Sequence, residues 1–315
     1  GGMAQRIHYT LEGMDVQAYL SDLVGRVYRH PSINVFTEAE ITEAAGYVGN
    51  FVTTVRSKTG TTEIEHGAAV IAIGADVHTP TEYLYGNDNR VLTHLELEEK
   101  ITAGEDSLIN ARSLVMIQCV GCRNEDRNYC SRMCCSESVK NALKLKELNP
   151  EMDIYIIYRD MRTYGFKEDY YREAANQGIT FIRYEPDDKP LVEPVEEAGR
   201  PFLRITLPDP ILGKTIALDA DCLVLAAAVI PSAGAKEIAG LFKVTLDPDD
   251  FFKEAHVKLK PVEFAAEGVY LCGMAHYPKH MAETISQASG AAGRVLTLLS
   301  HDTVTASGSV CQVDE

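Results

Sequence analysis

Alternating apolar strands and helices between residues 113 and 184 constrain the fold of this 315-residue chain more than any other feature. The pattern predicts strands at 113–118, 153–158 and 179–184, and helices at 135–148 and 167–177. Strands that alternate with helices of this length indicate a parallel, doubly wound sheet. Because the chain is long enough to bury two cores, we expect an α/β protein with two domains.

Weaker patterns predict the elements outside this run. Apolar residues at helical spacing favour helices at 15–29, 94–102 and 282–299. Apolar and β-branched runs favour strands at 33–36, 47–56, 62–66, 68–75, 204–207, 222–229 and 268–273.

Charge and hydropathy exclude two classes of function. The net charge is −16 with no cluster of basic residues, so we expect no nucleic-acid partner. The longest apolar stretch, 222–231, is far shorter than a bilayer span, and residues 1–10 lack the pattern of a secretory signal. We therefore expect a cytoplasmic protein without a membrane span.

Five of the eight cysteines lie between residues 119 and 135. They follow directly after a predicted strand, with the spacing Cys119-x2-Cys122-x7-Cys130-x3-Cys134-Cys135. A dense cluster in a long cytoplasmic chain indicates metal binding or redox chemistry more often than a disulfide framework. Four thiolates are the usual ligands of an iron–sulfur cluster, which is the reading that the spacing favours.

Three other readings of the cysteines remain open on spacing alone. Four cysteines are the usual ligands of structural zinc, although zinc sites normally show two C-x₂₋₄-C pairs and this segment has one. Cys119 and Cys122 have the spacing of a redox dithiol. Adjacent Cys134 and Cys135 are also compatible with ordinary buried thiols.

A nicotinamide-binding motif is missing from the same place. Nowhere in the chain are two glycines separated by one residue, although the turn that binds a pyrophosphate requires such glycines. Cysteines occupy the position of the phosphate loop, so we expect the domain not to bind NAD in the usual way. Nearby, Arg159, Arg162 and Lys167 either face an anionic cofactor or form a solvated, ion-paired surface.

Four segments resemble one protein family, the A subunits of heterodisulfide reductase and of the quinone-interacting membrane-bound oxidoreductase. They are CVGCRNEDRNYCSRMCC (119–135), KNALKLKELNP (140–150), IYRDMRTYGFKEDYYREAANQG (157–178) and GVYLCGMAHYPKHMAETISQASGAAGR (268–294). The resemblance implies a thioredoxin-reductase-like flavoprotein fold with two dinucleotide-binding domains. It divides the chain into an incomplete FAD-binding domain (1–108 and 236–300) and an inserted Rossmann-like domain (109–235) that carries the cysteines.

The resemblance also implies site residues. The family motif, a lone cysteine followed by C-x3-C-C, matches Cys119, Cys130, Cys134 and Cys135 as ligands of a [4Fe–4S] cluster. Cys122 departs from the motif, since the family commonly has serine there, and it is a spare thiol or an alternative ligand. FAD-contacting positions carried over from the family are Ala72, Gly74, Gly273, Met274, Ala275, Glu283 and Thr284. Without the resemblance, these small residues read as ordinary strand-to-helix packing.

By the same resemblance, the protein is one component of an oxidoreductase and relays electrons between FAD and the cluster. Its partners are other subunits of a redox complex and a ferredoxin-type domain or protein. The protein is cytoplasmic, or peripheral to a membrane through its partner subunits. The family's G-x-G-x-x-G motif lies upstream of the match to Gly1-Gly2, so we expect a truncated chain with weakened FAD binding and no activity alone. Residues 301–315, with Cys311, read as a linker to an absent ferredoxin domain. The alternatives are a disulfide oxidoreductase with a Cys119/Cys122 dithiol and a zinc-stapled docking scaffold.

Overall fold

A computed structural model describes residues 2–303 and divides them into two compact units. The first unit comprises 2–33 and 76–230, and the second comprises 34–75 and 231–303. The boundaries therefore fall at 33/34, 75/76 and 230/231, whereas the predicted domains divide at 108/109 and 235/236. Most of the predicted linker, 301–315, lies outside the described residues, as does Cys311.

The helices are α1 (Val16–Arg29), α2 (His94–Ala103), α3 (Asp106–Ile109), α4 (Cys134–Leu148), α5 (Lys167–Asn176), α6 (Ala235–Phe242) and α7 (Met281–Leu299). The strands are β1 (Glu40–Tyr47), β2 (Asn50–Ser57), β3 (Gly60–His66), β4 (Ala69–Ile71), β5 (Ala75–Val77), β6 (Val91–Thr93), β7 (Ser113–Val120), β8 (Asp153–Tyr158), β9 (Thr180–Arg183), β10 (Leu191–Glu197), β11 (Arg200–Asp209), β12 (Lys214–Ala220), β13 (Cys222–Ala227), β14 (Val229–Pro231) and β15 (Val269–Leu271). None of the helices within residues 2–303 combines the length and apolar character that crossing a bilayer requires.

A five-stranded sheet of order β6-β13-β7-β8-β9 organises the first unit, and all its strand pairs are parallel. Its central strand β7 is apolar without alternation because both faces are covered. Leu114 and Met116 pack against α2, α4 and α5 on one face. Val115 and Ile117 pack on the other face against the antiparallel sheet β10-β11-β12. The parallel sheet is confirmed. A doubly wound sheet would carry helices on this second face as well, whereas here the antiparallel sheet covers it.

The second unit contains the antiparallel sheet β1-β2-β3 and the parallel pair β4-β15. Its core lies around Ile71 and Leu271, which are adjacent in register, together with Phe252 and Phe264. The chain passes between the units at β5 and β14, which pair with each other. The predicted strand at 33–36 is wrong, because this segment has no regular structure.

Candidate functional site

The cysteine loop, defined here as residues 119–133, connects β7 to α4 and begins at the centre of the parallel sheet. From β7 the chain continues through β8 and β9 on one side, whereas β13 and β6 lie on the other side. The carboxyl ends of strands at such a reversal form the crevice in which open α/β sheets bind their ligands. The fold therefore places Cys119, the penultimate residue of β7, where this class of domain binds its cofactors.

A tight turn starts the cysteine loop. Cys119 has a φ of +64° and Gly121 a φ of +77°, both in the left-handed region. A Cβ atom added to Gly121 would lie 2.2 Å from Cδ2 of His78, so only glycine fits the turn against this ring. The turn changes the direction of the chain immediately after the strand. Cys119 and Cys122 lie on either side of it.

Buried hydrogen bonds fix the far side of the cysteine loop. The Tyr129 hydroxyl donates to the Val229 carbonyl at 2.8 Å, and the Val229 N–H donates to the Ser131 hydroxyl at 2.9 Å. Tyr129 and Ser131 are buried and flank Cys130, so its position is set by these bonds. A cofactor ligand held in this way is largely preorganised.

Four thiols of the loop and of the α4 N-terminus are close enough to interact electrostatically. Burial raises the pKa of Cys134 well above its ordinary value, and the neighbouring Cys135, Cys119 and Cys130 raise it further. Burial also raises the pKa of Cys135 to about 11, with contributions in the same direction from Cys119 and Cys130. The fold therefore brings together the four cysteines that the family motif matched.

Cys122 is placed differently from these four. Its thiol is in hydrogen-bonding contact with Cys119, and this contact, followed by burial, raises the pKa of Cys119. Cys122 is buried at 3% exposure, and it is the one cysteine of this segment that the family motif does not include.

The donor set fits an iron–sulfur cluster. All seven cysteines within residues 2–303 are free thiols. Among those residues, no three Cys, His, Asp or Glu side chains are grouped closely enough to hold one metal ion. That finding concerns a single ion, whereas in a cluster each cysteine binds a different iron and the sulfur atoms lie farther apart. Thiolate ligation requires deprotonation, so binding of a cluster would release the protons of the four thiols.

Positive groups and N–H donors lie beside three of the four thiols. A guanidinium nitrogen of Arg123 lies 3.8 Å from the Cys119 sulfur, and the same side chain pairs with Asp160 at 2.6 Å. The backbone N–H of Arg162 and its charge both lower the pKa of Cys135. At the opposite end of the loop, the Arg132 N–H donates to the Cys130 sulfur at 3.3 Å. These groups favour the anionic form of bound thiolates.

A buried ion pair anchors helix α4, whose first two residues are cysteines. Lys140 Nζ lies 2.7 Å from Glu98 of α2 and 2.6 Å from Glu137. It also donates to the Tyr9 carbonyl at 3.1 Å. Burial lowers the pKa of Lys140, but the Glu137 and Glu98 carboxylates outweigh burial and raise the pKa above its ordinary value. Lys140 is therefore charged, and it fixes α4 against α2.

A cavity of about 740 Å³ adjoins the start of the cysteine loop. Cys119, Cys122 and Arg123 line it from the loop, Arg159 from the end of β8 and Tyr184 from the end of β9. Cys130, Cys134 and Cys135 do not line it. The cavity therefore meets Cys119 on the side of Cys122, away from the other three thiols.

The predicted FAD-contacting positions are all in the second unit. Ala72–Gly74 follows β4, and Gly273–Ala275 follows β15, so both segments leave the same edge of a parallel strand pair. Gly273 has a φ of +73°, and a Cβ added there would lie 3.5 Å from Cγ2 of Thr284. Ala72 is exposed, Gly74 and Met274 are partly exposed and Ala275 is buried.

Glu283 has a structural partner in this region. Its carboxylate accepts from the His280 N–H at 2.9 Å and completes a capping box at the start of α7. Gly273 is also held, because its N–H donates to the Gln287 side chain and its carbonyl accepts from Lys279 at 2.6 Å. The structure thus brings Gly273 and Thr284 together and assigns Glu283 to helix capping.

Several residues that shape the two sites have no signal in the sequence. Tyr129 and Ser131 lie between cysteines and look like ordinary loop residues, and Lys279 looks like a surface lysine although it is 7% exposed. Their partners, Val229 and the backbone of Gly273, are either distant in sequence or backbone atoms. Lys140 had one weak signal, its i,i+3 spacing from Glu137.

The chain is similar to curated heterodisulfide reductase proteins of several archaea. It is 37% identical over 250 residues to the A subunit of the H(2):CoB-CoM heterodisulfide,ferredoxin reductase of Methanothermobacter marburgensis, covering 74% of this chain and 37% of that protein. The second iron-sulfur A subunit of the CoB–CoM heterodisulfide reductase of Methanopyrus kandleri is 35% identical over 269 residues, covering 80% and 40% respectively. The chain thus spans about two fifths of the length of these relatives. No family model matches it.

Solved structures with a similar fold include thioredoxin reductases. The Lactococcus lactis enzyme superposes with a TM-score of 0.60 at 14% identity, covering 95% of this chain and 88% of that one. The thioredoxin reductase of T. acidophilum gives a TM-score of 0.58 at 13% identity, covering 94% and 86%. At this identity the likeness shows the fold alone, and it confirms the predicted thioredoxin-reductase-like class.

Proposed function

Because three quarters of the chain is homologous to the A subunit of heterodisulfide reductase, we propose that it is the electron-transfer region of such a protein. Cys119, Cys130, Cys134 and Cys135 would hold a [4Fe–4S] cluster. The observation that carries the proposal is the position of these cysteines in and directly after the central strand β7 and in the first turn of α4, where this class of sheet binds its cofactors. Its support from the comparisons is that several relatives are named iron-sulfur subunits.

The protein's own groups have defined tasks in this proposal. The cysteine loop presents Cys119 and Cys130 from fixed backbone positions, and the first turn of α4 supplies Cys134 and Cys135. A bound cluster would accept and donate single electrons. Arg123 and the Arg162 N–H would offset the negative charge of the thiolates, which raises the reduction potential relative to an uncompensated site.

We further propose that the second unit contributes to FAD binding in the whole protein. The strand-end segments 72–75 and 273–275 and the N-terminus of α7 form the arrangement in which small residues let a cofactor approach the backbone. Gly273 supports this role most directly, because its left-handed φ of +73° favours glycine and the missing side chain leaves its backbone open beside Thr284. Other members of a redox complex, including a ferredoxin-type partner, would exchange electrons with the protein in the cytoplasm or at the membrane surface.

The test is metal analysis of the chain purified without oxygen. We expect about four irons and four sulfides per chain, with broad absorbance near 400 nm that dithionite bleaches. Cys134→Ser should lose most of this iron, whereas Cys222→Ser should keep it. Cys222 is the control because it is a free cysteine of the same unit that lies in the hydrophobic core outside the cysteine loop and α4.

Two results would contradict the cluster assignment. Stoichiometric zinc, with no iron even after reconstitution with iron and sulfide, would favour the zinc-stapled scaffold. Equal loss of iron in Cys134→Ser and Cys222→Ser would show that any disturbance of the core releases the metal. Cys122→Ser should retain the iron, since Cys122 is outside the group of four.

A further inference from the structure

We propose that Gln287 and His276 hold the strand end at Gly273 only while His276 is neutral, so that a proton on His276 releases it. The juxtaposition that carries this inference is an unbroken row of hydrogen bonds from a backbone N–H to a carboxylate. Its members, called here the Gln287 bridge, are Gly273, Gln287, His276 and Glu254. The effect of the bridge on FAD rests on the function proposed above, whereas the bridge itself does not.

Three segments of the second unit meet in the Gln287 bridge. The Gly273 N–H donates at 2.9 Å to Oε1 of Gln287, which lies in the second turn of α7. Nε2 of Gln287 lies 2.7 Å from Nδ1 of His276, and Nε2 of His276 lies 2.9 Å from the Glu254 carboxylate. Gly273 is buried, and the side chains of His276 and Glu254 are 22% and 18% exposed. Water therefore has little access to replace these bonds.

The two ends of the bridge determine the direction of every hydrogen bond in it. A backbone N–H can only donate, so Gln287 must present its oxygen to Gly273 and its N–H group to His276. Burial opposes ionisation of Glu254, but the hydrogen bond from His276 and other partners bring its pKa below the ordinary value. An ionised carboxylate can only accept. Nδ1 of His276 therefore accepts and Nε2 donates, which is the neutral Nε2–H tautomer.

A second proton on the imidazole is incompatible with this order. It adds an N–H at Nδ1, which then faces the N–H group of Gln287. If the Gln287 amide rotates so that its oxygen accepts from Nδ1, its N–H group faces the N–H of Gly273 instead. A hydrogen bond from a charged donor is stronger than one from a neutral amide, so the amide turns toward His276 and Gly273 loses its acceptor.

The groups around His276 favour its neutral form on balance. Burial lowers the pKa of His276, the hydrogen bond with Glu254 raises it, the Lys279 ammonium lowers it, and the charge of Asp247 raises it. From α7, the bonding partner is the uncharged Gln287. The resulting pKa is below the ordinary value of histidine. Gly273 is therefore held at neutral pH and released as the pH falls through the pKa of His276.

The position of Gly273 gives the bridge its role. Gly273 follows β15 and begins the segment 273–275 that we propose for FAD. Gln287 holds its N–H, and Lys279 donates to its carbonyl at 2.6 Å. Together they fix the backbone beside the proposed cofactor, which is how supporting residues keep a binding site preorganised. His276 and Gln287 are thus positioning residues, and protonation of His276 should weaken FAD binding.

Nuclear magnetic resonance of the ¹⁵N-labelled chain tests the bridge without a cofactor. At neutral pH His276 should show the Nε2–H tautomer. His66 is the matched control, since both its ring nitrogens are also bonded. Its Nδ1 lies 2.9 Å from the Ala68 carbonyl, which can only accept, so His66 should show the opposite, Nδ1–H tautomer. His276→Gln and His66→Gln assign the two signals. An Nδ1–H tautomer of His276 would overturn the proposal.

Hydrogen exchange of the Gly273 amide measures the release. As the pH falls through the pKa of His276, protection relative to the intrinsic exchange rate should fall about tenfold, the factor for one lost hydrogen bond. Gln287→Met should show this loss at every pH. Gln287→Glu should keep Gly273 protected throughout, because a carboxylate accepts from both Gly273 and the imidazolium, and it should tighten proton binding by His276 at least about tenfold. Constant Gly273 protection through the wild-type titration, or full protection in Gln287→Met, would overturn the proposal.

FAD binding is then measured by quenching of flavin fluorescence. Wild type should bind FAD more weakly below the pKa of His276 than above it, by a factor similar to the loss of Gly273 protection. Gln287→Glu should bind FAD equally at both pH values. Equal wild-type affinity at both pH values, while Gly273 protection changes, would overturn the link to FAD. Failure of the wild type to bind FAD at any pH would overturn the proposed role of the second unit, whereas the exchange measurement still decides the bridge.

Discussion

Replacing Lys140 by methionine tests whether the buried ion pair fixes helix α4. The side chain of Lys140 is 2% exposed and that of Glu98 is 1% exposed, so the substitution leaves a carboxylate in the interior without its cation. Breaking a buried pair by removing one partner costs about 3–5 kcal/mol. Glu98 still accepts hydrogen bonds from the His8 and Tyr9 N–H groups, and Glu137 is 24% exposed and can reach water. We therefore expect the low end of this range, about 3 kcal/mol.

A second lysine of α4 provides the matched control. Lys144 pairs with Glu147 at 2.8 Å, but these side chains are 35% and 68% exposed. An exposed pair of this kind contributes about 0.3–0.5 kcal/mol, so Lys144→Met should change the stability little. The two substitutions remove the same group from the same helix, and only burial distinguishes them.

Urea unfolding followed by far-ultraviolet circular dichroism measures both variants, since the chain has no tryptophan. The double variant Lys140→Met/Glu98→Gln should recover at least about 1 kcal/mol relative to the sum of the two single losses, because it removes the unpaired charge. Equal losses in Lys140→Met and Lys144→Met, or strict additivity with Glu98→Gln, would refute the reasoning.

Two further predictions concern pH and the tight turn. Burial lowers the pKa of His94 to about 3. Below about pH 6.5 the unfolded chain therefore binds a proton that the folded chain does not. The free energy of unfolding should fall by about 2 kcal/mol between about pH 7 and pH 5 as a result. His94→Gln should lack this part of the loss, and an equal fall in the wild type and in His94→Gln would contradict the assignment. Gly121→Ala should cost well over the ~1–2 kcal/mol of a left-handed backbone, because its Cβ would meet the His78 ring at 2.2 Å. Gly213→Ala, at a φ of +60° with open space around it, should cost only that backbone amount, and equal falls in melting temperature would rule out the contact with His78.

The sequence predicted most regular elements because their patterns are local. The continuous apolar strand at 113–118 and the helices at 15–29 and 94–102 agree with β7, α1 and α2 within two residues. The edge strands β10 and β12 were missed, since most of their residues are exposed and neither has a continuous apolar run. Their pairing with β11 depends on neighbours in space, which no local window contains.

The cysteine spacing by itself indicated that residues 119–135 form a redox or metal site, and the family motif named four of the five thiols. Only the tertiary structure placed Cys122 with Cys119 in the lining of a cavity that the other three cysteines do not line, because the local sequence does not say which distant residues complete that lining. The same holds for Lys140 and Tyr129, whose partners come from distant parts of the chain. The sequence determines residue type and local spacing. Burial and the contacts between residues arise only when remote segments pack together, and burial and contacts determine which thiols lie together.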